Sequence, residues 1–118
     1  VQEKTVEFAW AIAKEKKGKI GAINFLMDIS PDCDCLGRSD ASIVPEIGML
    51  ASDDVVAIDR ASIDLINRQP SLCNTIIPGD RLGEADKFAI IHGVDWMPQF
   101  AYAEEIGLGS ASYELQNL

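Results

Sequence analysis

Apolar and polar positions change period along this chain, and the changes mark out its elements. Residues 3–17 place Val6, Ala9, Trp10 and Ala13 at i, i+3, i+4 and i+7, with Phe8 and Ile12 widening the stripe, and predict an amphipathic helix. Gly18 breaks that pattern. Residues 20–29 (IGAINFLMDI) are almost continuously apolar, which predicts a strand covered on both faces. Period two sets Ile20, Ala22, Asn24, Leu26 and Asp28 on one side and Ile23, Phe25, Met27 and Ile29 on the other. Asn24 and Asp28 thereby share a face towards the C-terminal end of the strand, where open α/β sheets hold their ligands.

A loop rich in Asp, Ser, Pro and Gly follows at 30–45, longer than a simple connection needs. Residues 46–51 (EIGMLA) predict a second short strand, and Ser52 or Asp53 a cap for a helix at 54–68. That helix presents Val55, Ile58, Ser62, Leu65 and Ile66 as its buried stripe and stops at Pro70. Residues 70–83 are irregular, with Pro78-Gly79 favouring a turn. A short helix at 84–92 turns Phe88 and Ile91 inward and ends at Gly93. Asp95 is placed to cap a last helix at 96–106, ended by Gly107, and 112–118 is a candidate closing strand. Alternating strands and helices predict an α/β fold. The expected form is a small layered sheet, mainly parallel, packed by about four helices in one domain spanning 1–118. The chain starts without methionine, which fits processing and, equally, a fragment of a larger α/β protein.

Composition narrows the partners. The chain has 118 residues, 47% of them hydrophobic, enough for one core. No apolar run approaches the ~20 residues of a membrane span. Nineteen acids against ten bases give a net charge of −9, which repels nucleic acid and anionic membranes alike. The bases cluster at Lys14, Lys16, Lys17 and Lys19, which reads as a helix C-terminus supported by cations, with an acidic docking partner as the alternative. Three cysteines without a secretory signal argue for reduced thiols in a cytoplasm rather than a disulfide framework.

The densest chemistry lies in Pro31-Asp32-Cys33-Asp34-Cys35. A Cys-x-Cys pair can chelate one soft metal, but structural zinc sites use wider spacings and iron–sulfur clusters want four thiolates. Asp32 and Asp34 should raise the thiol pKa values by repulsion between like charges. Asp28, Asp32, Asp34 and Asp40 together could ligate a hard cation, or could simply cap and turn the loop. Asp59 stands beside a buried helical stripe, facing either a cleft or Arg60. His92, the one histidine, is either a helix-end cation or a ligand. Trp96 and Phe100 read as core, and Cys73 as a buried filler.

Three segments then carry a resemblance. IGAINFLMDISPDCDC, SDASIVPEIGMLASDDVVAIDRASIDLI and AYAEEIGLGSASYEL resemble the C-terminal part of the family called domain of unknown function 362. The matching positions are Asp28, Pro31, Cys33, Asp34, Cys35, Asp40, Pro45, Gly48, Asp53, Ala57, Asp59 and Ala61, with His92 and Trp96 also falling where the family tends to have His and Trp. The family usually shows Asp-Pro where this chain has Asp54-Val55, and Cys73 matches no usual cysteine. The resemblance implies an uncharacterised α/β protein, often fused to a ferredoxin-type module with two four-iron clusters just upstream. On that expectation the clusters belong to the full-length protein rather than to this chain.

Three functions remain open at this point. The first is metal binding or electron transfer in an iron–sulfur protein. Cys33, Cys35, Asp28 and Asp34 are its candidate metal ligands, and Asp32, Asp40, Asp59, His92 and Asn24 are neighbours. Its partners would be the upstream module and a redox protein. The second is an oxidoreductase domain whose carboxylate and thiolate cleft is shared with a missing part. The third is a packing and interaction domain with no chemistry of its own, exposing an apolar patch or pairing as a homodimer.

Overall fold

The computed structural model describes residues 1–33 and 35–118. Helix α1 (Gln2–Ala13) is prolonged by a 3-10 turn at Lys14–Lys16. Gly18, at φ +69, then turns the chain out through a left-handed conformation that glycine adopts at little cost. Strands β1 (Ala22–Leu26) and β2 (Gly48–Ser52) pair as a ribbon, and α2 (Val55–Arg68), α3 (Lys87–His92) and α4 (Pro98–Glu105) complete the elements.

The sheet corrects the expectation of a mainly parallel one. β1 and β2 run antiparallel, in register from Ala22 opposite Ser52 to Leu26 opposite Gly48, and among the described residues no further strand joins them. The physical reason lies in the connection. Parallel neighbours need a crossover, usually a helix, whereas the described part of 27–47 carries none and folds back on itself. The expected closing strand at 112–118 is irregular.

α2 is the central element. Its N-cap is Asp54, whose carboxylate accepts from the amides of Val56 (2.8 Å) and Ala57 (3.0 Å). Ser52 and Asp53, the caps expected from sequence, are displaced because β2 runs through Ser52, whose hydroxyl instead accepts from the Asp54 amide at 3.0 Å. One end of α2 joins a cluster of Leu26, Ile43, Val44, Ile66 and Ile77, against which Phe88 and Ile91 pack as predicted. The other end joins Val6, Val56, Phe100 and Ala103, with Trp96 packed alongside.

Among the described residues, β1 is covered by α2 on one face and no second layer of helix or strand reaches the other. Ala22, Asn24 and Leu26 point inward, while Ile23 and Phe25 stand in solvent. Phe8 and Ile12 of α1 are exposed as well, although the sequence stripe included them. The Cα radius of gyration is 15.1 Å, against about 13.5 Å for a compact domain of this length. That looser packing agrees with the uncovered apolar surface. Among the described residues, no helix is long and apolar enough to cross a membrane.

Candidate functional site at the cysteine loop

The 27–47 connection is anchored at its stem and open at its tip. At the end of β1, Asp28 adopts φ +51, a left-handed conformation that aspartate tolerates better than most residues, and this turns the chain out of the strand. The stem closes through backbone bonds from Ile43 to the Ile29 carbonyl (2.8 Å) and from Ile47 to the Leu26 carbonyl (2.9 Å). Pro31, Ile43 and Val44 are buried beneath it.

The tip carries the thiols. The Leu36 amide donates to the Cys33 carbonyl at 3.0 Å. The Cys35 amide donates to Cys33 Sγ at 3.3 Å. The hydrogen bond between the two side chains pushes the Cys35 thiol above its ordinary pKa, and lost solvation and the negative charge on Cys33 add to it. A raised thiol was expected from the sequence, but the leading cause is the neighbouring cysteine. Asp32 is not among the causes, and Asp34 lies outside the described residues. Both cysteines are exposed, and so is Cys73, which overturns its reading as a buried filler.

Among the described residues, the remaining candidates do not gather around them. Asp28 accepts from the Ser42 hydroxyl. Asp40 turns its own backbone, accepting from the Ala41 amide at 2.8 Å, and the Asp32 carbonyl accepts from the Ser30 hydroxyl at 3.0 Å. The carboxylates of Asp28 and Asp40 thus play the loop-building roles common to short acidic side chains. Asn24 and Asp59 form a separate group at the interface of ribbon and helix, where Asn24 Nδ2 donates to Asp59 Oδ1 and to Ser62 Oγ, both at 2.9 Å. Arg60 pairs with Asp64 at 3.1 Å instead of with Asp59. Asp59 also borders a small cavity of about 150 Å³ between α1, α2 and α4. His92 is exposed at the C-terminal end of α3. Among the described residues, no three His, Cys, Asp or Glu side chains converge to hold a metal ion. Cys33 and Cys35 offer two sulfur atoms, and the described residues add no converging third group.

Two features were not legible in the sequence. Lys87 is only 2% exposed, its Nζ donating to the Asn67 carbonyl at 2.9 Å near the C-terminal end of α2, where a cation is favoured. Its amide also donates to Asn67 Oδ1 at 3.1 Å, so this one residue ties α2 to α3. An open cleft of about 610 Å³ lies between the α1 end and Ile106–Leu108, lined by Lys14, Lys16, Lys17, Trp10 and Asp53. The Lys14 ammonium there sits over the Trp10 ring at 4.6 Å. The run of lysines was the only signal for that cleft.

Residues 1–64 match the model of a family described as a domain of unknown function, DUF362. The match takes in the cysteine loop and most of α2. The third segment of resemblance, at 101–115, lies outside it. No curated protein and no solved structure matches the chain.

Proposed function

The chain belongs to the DUF362 family, a domain of unknown function, and within that family we propose that it is the α/β domain of a metal-handling, iron–sulfur-linked protein. Cys33 and Cys35 act as a bidentate soft donor, and the missing ligands come from outside the described residues. A ferredoxin-type module of the same longer protein is the partner this reading names, with a redox protein beyond it and a reducing cytoplasm as the setting.

One observation supports the reading above others: the Cys35 amide donates to the Cys33 sulfur, and both cysteines are exposed above a buried stem. Soft cations select sulfur, and thiols ligate after losing their protons. The raised Cys35 pKa means that protons compete with the cation, so uptake should strengthen as pH rises. Two donors fill half of a tetrahedral set, so this reading needs two further ligands from elsewhere. A bound iron–sulfur centre would supply single-electron transfer. What this chain contributes is the placement of the two sulfurs and the rigidity of the stem beneath them.

Anaerobic reconstitution with iron and sulfide tests the proposal, with iron and sulfide counted per chain in the wild type and in Cys33→Ser/Cys35→Ser. Retention by the wild type alone supports it. Equal retention by both removes these thiols from the function.

A further inference from the structure

The outer face of the β1–β2 ribbon is apolar and bare. Ile23 and Phe25 are each 63% exposed, Met49 66% and Met27 46%. Phe25 stands directly opposite Met49, and Ile23 opposite the small side chain of Ala51. All five of these side chains are uncharged, in a chain whose net charge is −9. A large apolar side chain offers on the order of 200 Å² when fully exposed. By that measure the face holds about 500 Å² in one patch, at the upper end of what a monomer shows.

We propose that this face is the contact of a homodimer, in which two ribbons stack face to face with Phe25 and Met49 at the centre. The area fits, since two copies together remove about 1,000 Å² from water, the lower bound of a specific interface. The shape fits as well. One patch can serve both copies, so a two-fold axis lying in the contact plane closes it as an isologous pair. The small Ala51 across from Ile23 leaves room for a large side chain of the facing ribbon. Charge selects the same surface: a strongly acidic chain repels its own copy over most of its exterior and is spared that repulsion where the face is uncharged. The inference is independent of any metal at the cysteine loop.

Analytical ultracentrifugation over a concentration series tests it. The wild type is expected to be a dimer at micromolar concentration. Phe25→Glu or Met49→Glu should weaken association about tenfold or more by setting like charges face to face, with the circular dichroism spectrum unchanged. An equimolar mixture of Phe25→Glu and Phe25→Lys should restore the dimer. A second measurement needs no variant: oxidative footprinting should show Met49 protected at high concentration relative to dilute protein, with Met97 as the internal reference. A wild type that stays monomeric throughout overturns the proposal and gives the face to a different partner. Dimers unaffected by the Glu variants, or Met49 oxidised equally at both concentrations, overturn it too.

Discussion

The backbone amide of Cys35 donates to the sulfur of Cys33 at 3.3 Å, which ties the two cysteines directly together. Their pairing raises the Cys35 thiol, with the hydrogen bond to Cys33 as the first cause. Removing that partner should lower the Cys35 pKa towards its ordinary value. Alkylation of Cys35, followed by mass spectrometry against pH, should therefore move to lower pH in Cys33→Ala than in the wild type. An unchanged profile would show that the two thiols do not interact.

The carboxylate of Asp54 caps α2 and also accepts from the Ser110 amide at 2.8 Å, tying the C-terminal segment to the central helix. Asp54→Ala should cost about 1–3 kcal/mol, the loss of a cap plus an amide left without its partner. Gly109→Ala should destabilise as well. A Cβ at Gly109 would fall 2.2 Å from Asp54 Oδ1 and 2.9 Å from Val56 Cγ2, and the carboxylate cannot swing aside without giving up its bonds. Urea denaturation of both variants measures the effect.

Asn24 lay on the predicted ligand face of β1, but its amide is spent on Asp59 and Ser62. Asn24→Ala should cost about 1 kcal/mol, because the buried Ser62 hydroxyl loses a donor while exposed Asp59 can turn to water, and should leave metal uptake at the cysteine loop unchanged. A fall in uptake with the fold intact would return Asn24 to the site.

Burial holds the Lys87 ammonium below its usual 10.5, partly offset by neighbouring Asp86. A depressed pKa in the fold means that protonation favours the unfolded chain. Stability should therefore rise with pH through the alkaline window just below 10.5 and be lower once pH falls beneath the folded pKa. Lys87→Met should abolish that rise. At neutral pH it should stay within about 1 kcal/mol of the wild type, the lost bond to Asn67 being offset by the relief of desolvation. Denaturation midpoints measured across the alkaline range decide it.

The sequence was most readable where a period persists. The α2 stripe appears as Ile58, Ser62 and Ile66 because 3.6-residue spacing runs unbroken over fourteen residues. Its cap was misplaced by one or two positions because Ser52, Asp53 and Asp54 are all competent caps, and only the extent of β2 chooses among them. Strand direction was not readable, since it depends on how the aperiodic 27–47 loop folds back. The run around Phe25 was legible as strand but not as exposed, because a continuous apolar stretch does not say how many layers arrive to cover it. At the site, the thiol pair was plain from two letters. The diversion of Asp28 to Ser42, and of Asp59 to Asn24 thirty-five residues away, depended on the fold.

The most direct measurement is a cobalt(II) or cadmium(II) titration of the full 118-residue chain under anaerobic conditions, followed by thiolate-to-metal charge-transfer absorption at several pH values. A soft donor pair at Cys33 and Cys35 predicts a saturable absorption that strengthens with rising pH and vanishes in Cys33→Ser/Cys35→Ser, while Cys73→Ser leaves it intact. The same absorption in the double variant, or none in the wild type, would contradict a metal role for this loop.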